Sequence, residues 1–264
     1  TVNAGPHYNV VGKLTGYGAP GKSVIVMGHY DTVMCAGFCD NGAGTSGVIE
    51  LARVFTEAAE KGLYRSKYSI LFIALASEEM GLVGSIHYVA QHKTEMEDIM
   101  AVINLDCIGS DVLEVTRTNP DHGINLQQIV LDAAAGLGVS TRLIEPLQAD
   151  EIPFLSPPEG DNTLMYWWDT SLGLSDAHPV GSSIMISSFP LFYLEKWNPE
   201  IGKPGWIHTS YDNSTSTGTL NWIEPDDFEA HIKVAALTVM RVSPSSSINT
   251  DINKDGKVSI LDIY

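Results

Sequence analysis

Short apolar runs alternate with stretches of helical periodicity along most of the chain. Runs rich in Val, Ile, Leu and Met, bounded by Gly, Pro, Ser or Asp, predict β-strands over residues 9–15, 23–27, 69–76, 100–105, 112–116 and 184–187. Apolar residues at three-to-four spacing predict helices over residues 44–61, 80–92, 124–135 and 226–241. This alternation predicts a three-layer α/β/α domain, in which a mostly parallel twisted central sheet is covered by helices on both faces.

Composition narrows the class of protein. The chain has 264 residues, of which 44% are hydrophobic, enough for a large core in one main domain. Its formal net charge of −17 would repel phosphate backbones and anionic lipid surfaces. The longest strongly apolar run, residues 68–76, is far shorter than the roughly 20 residues that span a bilayer. We therefore expect neither nucleic acid nor a membrane as a partner.

The three cysteines are too few for a disulfide framework. Cys35 and Cys39 share one loop and could close a small ring, and the sequence leaves open whether they do. Cys107 is expected to be a small buried hydrophobe, although it follows a candidate site residue.

The composition changes after the last predicted helix. We expect the main domain to cover residues 1–242, a Ser/Pro linker to cover 243–248 and a calcium-binding repeat to cover 249–264. In the repeat, Gly256 stands at position six of an EF-hand-type loop. Positions one, three, five, seven, nine and twelve are Asp251, Asn253, Asp255, Lys257, Ser259 and Asp262. A disordered tail is the alternative.

Polar residues follow the ends of two predicted strands, where a parallel sheet keeps its chemistry. His29 and Asp31 point the same way in an extended segment, so Asp31 can hold the second ring nitrogen of a metal-binding His29. Glu78 and Glu79 are adjacent and diverge, so one can bind a metal while the other faces a metal-bound water. Alone, a His-x-Asp pair is more often structural, and a solvated pair of loop carboxylates is the alternative for the glutamates.

Three further residues complete a set of donors. Asp40 opens a predicted helix within the sequence DNGAG, either as an N-cap or as a carboxylate that bridges two cations. Asp106 closes the predicted strand 100–105, and His208 lies between a Trp-containing turn and a polar loop. Each residue alone would usually be structural. Together with His29 and one of the two glutamates they supply two imidazoles and three carboxylates, which suit a divalent metal such as zinc.

The motifs GHYD, DNGAG, Glu-Glu, NLDCIG and IHTSYD occur in this order between residues 28 and 213. They resemble those of the secreted, co-catalytic di-zinc aminopeptidase family, which includes bacterial leucine-type aminopeptidases and is related to glutamate carboxypeptidases and glutaminyl cyclases. The resemblance implies a zinc-exopeptidase fold and a secreted metalloenzyme that removes N-terminal residues from peptides with free N-termini. It also implies two Zn²⁺, with Co²⁺ or Mn²⁺ as alternatives.

The same resemblance assigns the metal ligands. Asp40 would bridge both metals and be followed by a cis peptide bond. His29 and Asp106 would bind one metal, while Glu79 and His208 would bind the other. Two divalent cations would offset the three carboxylates and a bridging hydroxide, polarise the scissile carbonyl and hold the substrate amine.

Catalytic and supporting roles follow from the resemblance as well. Glu78 would be the general base that takes the proton of the attacking water and passes it to the leaving amine. Asp31 would assist catalysis by orienting His29, and Asp212 would orient His208.

The substrate pocket departs from the pattern of the family. Ile207 stands where some relatives have a tyrosine, and Ala177 separates a Ser-Asp pair from the following histidine. Ordinary packing is the alternative for every pocket candidate, and the side-chain preference stays open. The candidates are Tyr166, Trp167, Trp168, Asp176, His178 and Tyr211.

The repeat at 249–264 resembles the first repeat of a type I dockerin, the module that anchors secreted enzymes to cohesins. A dockerin needs two repeats, so a cohesin scaffold is expected as a partner only if the full-length protein carries a complete one. Because dockerins belong to exported enzymes, the resemblance implies an extracellular location.

Two rival functions stay open. A glutaminyl cyclase would work with one metal, and a non-catalytic binding module would reuse the peptidase fold. The presence of every expected ligand and of Glu78 favours the metallopeptidase.

Overall fold

A seven-stranded mixed sheet forms the centre of the protein. The computed structural model describes residues 6–33, 35–110, 112–116, 124–144, 183–188, 197–198, 203–204, 208, 212–213 and 223–245. The strands of the sheet are β1 (Val10–Leu14), β2 (Ala19–His29), β3 (Tyr68–Leu75), β4 (Ile99–Asp106), β5 (Leu113–Thr116), β6 (Thr141–Ile144) and β7 (Ser183–Ser187). Their order across the sheet is β1-β3-β2-β4-β7-β5-β6.

Strands β3, β2, β4 and β7 run parallel, whereas β1 pairs antiparallel with β3 and β5 pairs antiparallel with β7. A separate two-stranded ribbon joins β8 (Trp197–Asn198) to β9 (Lys203–Pro204). The predicted, mostly parallel α/β fold is confirmed. Strand β6 was not predicted, because its sequence Thr-Arg-Leu-Ile is short, charged and without buried residues; only its pairing with β5 makes it a strand.

Helices cover both faces of the sheet. They are α1 (Gly44–Glu60), α2 (Val83–Gln91), α3 (Leu126–Gly136) and α4 (Pro225–Val242), each within a few residues of its predicted range. A six-residue π-helical turn, Phe38–Ala43, leads into α1, and a 3₁₀ turn, Lys93–Asp98, precedes β4. Within the described ranges, no helix has the length and hydropathy needed to cross a membrane.

The two faces of strand β2 show the three layers. Val24 and Val26 belong to the larger core cluster, which includes side chains of α1, α3 and α4. Ile25 and Met27, which alternate with them, pack in the second cluster with side chains of α2 and the 3₁₀ turn. A strand that is buried on both faces has a continuous apolar sequence, as β2 has from Val24 to Met27.

Ser243, the residue after α4, is hydrogen bonded to residues around the start of β3. Ser243 is fully buried, and its side-chain oxygen accepts a hydrogen bond from the Tyr68 N–H at 2.8 Å and lies 2.7 Å from Ser66 Oγ. The Tyr64 hydroxyl donates to the Ser243 carbonyl. Ser243, which lies in the predicted linker, thus packs against the start of β3. The predicted repeat at 249–264 lies outside the described residues.

Candidate metal centre

The carboxyl ends of three neighbouring parallel strands carry most of the predicted site residues. His29 is the last residue of β2, Asp106 is the last residue of β4, and Glu78 and Glu79 follow the end of β3. Because β3, β2 and β4 are adjacent in the sheet, these side chains meet at one edge. The placement predicted for them is therefore the observed one.

The carboxylate of Asp40 lies between two imidazoles. Its Oδ1 is 3.3 Å from His29 Nε2, and its Oδ2 is 3.0 Å from His208 Nε2. Asp40 is buried in the turn before α1, and the peptide bond between Asp40 and Asn41 is cis, as the resemblance implies. Each oxygen thus faces a different imidazole, which is the arrangement that a carboxylate bridging two cations requires.

Two further carboxylates divide between these imidazoles. Asp106 Oδ1 is 3.6 Å from His29 Nε2, and Glu79 Oε2 is 3.0 Å from His208 Nε2. Donor atoms of His29, Asp40 and Glu79 lie within 4.8 Å of one another. The five residues therefore form two groups that share Asp40, in the division that the resemblance implies.

Two buried carboxylate oxygens support a cation at this place. Glu79 Oε1 and Asp106 Oδ1 lack a hydrogen-bond partner among the residues that the structure describes. Buried carboxylate oxygens are normally hydrogen bonded or bound to a metal, because desolvating a charge without compensation is costly. The donor set, with two imidazoles and three carboxylates, fits zinc.

The acidic side chains create a strongly negative field around both histidines. Burial alone would lower the pKa of His29, but the neighbouring carboxylates of Asp106, Asp31 and Asp40 outweigh burial and raise this pKa far above its usual range. Hydrogen bonds to Asp40 and Glu79 raise the pKa of His208 to about 10. Burial alone would raise the pKa of Asp40, but hydrogen bonds from His208 and His29 lower it to about 2. Such a field favours a divalent cation.

Glu78 lies at the border of this cluster. Its Oε2 is 3.9 Å from His29 Nε2, and 15% of its side chain is exposed, against 1% for His29. The carboxylate is thus close to the metal-binding groups and still accessible from solvent, as a general base for a water molecule should be.

Asp31 supports the two glutamates as well as His29. Its Oδ1 is 3.6 Å from His29 Nδ1, whereas the closer partner of that nitrogen is the Asp31 carbonyl oxygen at 3.2 Å. The carboxylate accepts hydrogen bonds from the backbone N–H groups of Glu78 at 3.0 Å and Glu79 at 3.2 Å. Asp31 therefore connects the end of β2 with the loop after β3.

Asp212 contacts the backbone of the turn that carries Asp40. Its Oδ1 accepts a hydrogen bond from the Cys39 N–H at 2.6 Å, and its Oδ2 accepts one from the Asp40 N–H at 3.1 Å. Burial raises the pKa of this carboxyl despite these backbone donors. Asp212 thus supports the turn that carries Asp40, and its orientation of the His208 ring stays a prediction.

Unusual backbone conformations cluster at the site. In the described ranges, the non-glycine residues with positive φ are Ser77, Leu82, Cys107 and His208. Ser77 precedes Glu78, Cys107 follows Asp106, and His208 is itself a predicted ligand. Left-handed conformations of such residues cost free energy and concentrate at functional sites.

Sequence reasoning missed two supporting residues. Thr45 Oγ1 donates a hydrogen bond to the His29 carbonyl at 2.6 Å. This bond connects the start of α1 with the end of β2. Asn41, which the sequence places in the start of a helix, is fully buried. Its side chain forms hydrogen bonds with the backbone of Leu105 and Cys107, the neighbours of Asp106. The motif DNGAGT contains both residues, but only the folded chain shows their partners.

The thiols of Cys35 and Cys39, both within the described residues, are not joined by a disulfide. The side chains of Cys39 and Cys107 are both fully buried. The expectation that Cys107 is a small buried residue is confirmed.

The predicted pocket residues lie outside the described part of the chain. They are Tyr166, Trp167, Trp168, Asp176, His178 and Tyr211. The predicted calcium ligands Asp251, Asn253, Asp255, Lys257 and Asp262 also lie outside it.

Parts of the chain are similar in sequence to a metalloprotease and to an aminopeptidase. A probable zinc metalloprotease of Pyrenophora teres f. teres is 32% identical over 126 residues, which are 44% of this chain and 26% of that protein. Aminopeptidase YwaD of Bacillus subtilis is 42% identical over 90 residues, which are 33% of this chain and 18% of that protein.

Solved structures match over nearly the whole chain. BSAP, a zinc aminopeptidase from Bacillus subtilis, superposes with a TM-score of 0.63 and 25% identity over 94% of this chain and 53% of that one. LapB from Legionella pneumophila superposes with a TM-score of 0.64 and 18% identity over 92% of this chain and 57% of that one, a similarity of fold alone. The chain thus spans about half the length of these solved relatives.

The profile of one protein family covers all the strands of the central sheet and the whole candidate centre. Peptidase family M28 matches residues 9–218, well over half of the chain and a range that includes all five predicted ligands. The chain therefore belongs to peptidase family M28.

Proposed function

We propose that this protein is a secreted zinc aminopeptidase with a two-metal centre, which removes N-terminal residues from peptides. The observation that carries this proposal is the position of Asp40, whose two carboxylate oxygens each face a different histidine. A single-metal enzyme would need no carboxylate shared between two imidazole groups.

The residues that would hold the metals are those of the two groups described above. His29 and Asp106 would complete one site, and Glu79 and His208 would complete the other. When bound, the two cations would supply Lewis acidity for attack on the scissile carbonyl and would neutralise the buried carboxylates.

Glu78 would be the protein group that transfers the proton. Its backbone N–H is held by Asp31, and its carboxylate is partly exposed beside His29. From this position the carboxylate would accept a proton from the attacking water and deliver it to the leaving amine.

The relatives support the substrate class. Two proteins to which this chain is similar are described as a zinc aminopeptidase and an aminopeptidase, both from Bacillus subtilis. Because the chain spans only part of their length, the activity of the whole protein is part of the proposal.

A direct assay tests the proposal. A panel of aminoacyl-anilides should be cleaved, and the same compounds with a blocked amino group should not. Chelator should abolish cleavage, and Zn²⁺ should restore it. Cleavage of blocked substrates alone would exclude an aminopeptidase, and cyclisation of Gln-peptides with one bound zinc per chain would indicate a glutaminyl cyclase instead.

Secretion rests on the resemblance of residues 249–264 to a dockerin repeat. Fractionation of the native host tests it. Intact protein in the medium or at the cell surface is the expected result, and intact protein confined to the cytosol would contradict it.

A further inference from the structure

A single side chain joins the two segments that carry Asp40 and Asp106. Asn41, which follows Asp40, is fully buried, and its Nδ2 donates a hydrogen bond to the Leu105 carbonyl at 2.9 Å. Its Oδ1 accepts a hydrogen bond from the Cys107 N–H at 3.1 Å. Leu105 and Cys107 are the neighbours of Asp106 in the chain, so the amide of Asn41 holds the backbone on both sides of that carboxylate.

The same oxygen of Asn41 also fixes the start of α1. Asn41 Oδ1 accepts a second hydrogen bond, from the Gly44 N–H at 2.8 Å. The amide therefore uses a donor and both acceptor positions at once, and its three partners are backbone groups at the start of α1 and around the end of β4. Three simultaneous hydrogen bonds leave these two segments little freedom to move apart.

Two glycines make room for this amide. A Cβ on Gly44 would lie 2.1 Å from the Leu105 carbonyl oxygen and 2.2 Å from Asn41 Oδ1. A Cβ on Gly28 would lie 2.8 Å from the same carbonyl oxygen. The turn before α1 and the end of β4 thus approach more closely than any side chain at Gly44 would allow, and Asn41 fills the contact.

We propose that Asn41 is a positioning residue that sets the separation between Asp40 and Asp106 and thereby the metal affinity of the centre. The proposal rests on the two-metal function proposed above. It assigns to the amide the role of groups that orient metal ligands without touching the metal, whose loss typically lowers metal affinity about 10- to 100-fold.

The test compares metal binding with folding in the full chain. Purified metal-free Asn41→Ala is titrated with Zn²⁺ against a chelating dye and with Co²⁺ by visible absorption, and its free energy of unfolding is measured without metal. We expect metal affinity to fall about 10- to 100-fold and the Co²⁺ spectrum to change. Turnover of an aminoacyl-anilide should fall through kcat more than through KM.

Ser243→Ala is the matched control. Ser243 is as buried as Asn41, and its substitution also removes side-chain hydrogen bonds, to the Tyr68 N–H and Ser66 Oγ. These groups lie around the start of β3, whereas the candidate metal centre lies at the end of that strand. It should lower the free energy of unfolding and leave metal affinity and the Co²⁺ spectrum unchanged. A structural role for Asn41 alone would give the same result as this control and would overturn the proposal.

If the alanine variant does not fold, Asn41→Asp tests whether Asn41 sets the metal affinity. It keeps the acceptor for the Gly44 and Cys107 N–H groups and removes the donor to the Leu105 carbonyl. Weaker metal binding in the folded variant is the expected result. Wild-type affinity in either folded variant would overturn the proposal, as would two variants that stay unfolded with and without Zn²⁺.

The positioning role of Asn41 and the aminopeptidase activity can fail independently of each other. If the wild-type chain binds metal and the Asn41 variants bind it weakly, but no peptide is cleaved, only the aminopeptidase proposal fails. If the wild-type chain cleaves anilides and the variants bind metal as tightly as it does, only the positioning role fails.

Discussion

At the scale of single residues, the acidic side chains of the centre differ in what their oxygens contact. Asp40 places both oxygens against imidazoles, whereas Asp31 and Asp212 accept hydrogen bonds from backbone N–H groups. Glu79 and Asp106 each keep one buried oxygen without a hydrogen bond among the described residues. Substitutions of these carboxylates should therefore have different consequences for metal binding and for catalysis.

Glu78→Gln should separate catalysis from metal binding. The amide has the shape of the carboxylate but cannot accept a proton, and a lost general base typically lowers the rate about 10²- to 10⁴-fold. We expect kcat for an aminoacyl-anilide to fall by that factor while the zinc content, measured by mass spectrometry, is unchanged. Glu60→Gln, an exposed residue at the far end of α1, is the control and should keep full activity. Retained turnover in the first variant would refute the assigned base.

Asp212→Asn tests the hydrogen bonds from Asp212 to the turn that carries Asp40. An amide nitrogen in place of one oxygen would face the N–H of Cys39 or Asp40 and lose that hydrogen bond. Since Asp40 is shared, we expect both zinc ions to bind more weakly, about 10- to 100-fold. Loss of only one tightly bound zinc in a titration would instead favour a role through His208.

At the scale of elements, the start of α1 is placed by close packing against the end of β4. Gly44 is the first residue of α1, and the carbonyl oxygen of Leu105, near the end of β4, occupies the space that a Cβ would need. This contact brings Asp40 next to the strand ends. The helix itself is predictable from its apolar periodicity, but its contact with β4 is not.

Gly44→Ala should therefore disturb the centre through the helix. A Cβ 2.1 Å from a backbone oxygen forces one of the two elements to move, and such overpacking typically costs about 1–3 kcal/mol. We expect a lower free energy of unfolding in urea together with weaker zinc binding. Gly21→Ala is the control, since nothing lies within 4 Å of its added Cβ, and it should change neither quantity.

At the scale of the whole molecule, the packed part of the chain includes Ser243, the residue after the end of α4. Ser243 accepts hydrogen bonds at its carbonyl and at its side chain from residues around the start of β3.

Two truncations test this boundary. A chain that ends after Val242 loses the buried hydrogen bonds of Ser243, at about 1 kcal/mol each, and should be about 2–3 kcal/mol less stable. A chain that ends after Ser245 should match the full chain in unfolding free energy and in activity. Equal stability of the two truncated chains would contradict the packing role of Ser243.

Calcium binding by residues 249–264 stays a prediction. Calorimetric titration with Ca²⁺ checks it, because heat of binding should be seen for the full chain and be absent for the chain that ends after Ser245. If the full chain gives no heat of binding, the prediction that residues 249–264 bind calcium is wrong.

The sequence alone determined most of the elements and the set of candidate metal ligands. Apolar runs and periodicity depend on neighbours along the chain, so β2, β3, β4 and α1 could be predicted. His29, Asp40, Glu79, Asp106 and His208 stand out because their motifs occur in a fixed order. A short polar strand such as β6 could not be predicted, because its conformation depends on pairing with β5.

Only the tertiary structure decided how these residues support one another. Asp212 and Asp40 are 172 residues apart in sequence, and the hydrogen bond between them depends on the path of the chain between. The amide of Asn41 reaches backbone more than 60 residues away on β4, and no local pattern specifies that contact. Metal ligands can be recognised by their chemistry, whereas the groups that position them are selected by distance in the folded chain, which sequence spacing does not encode.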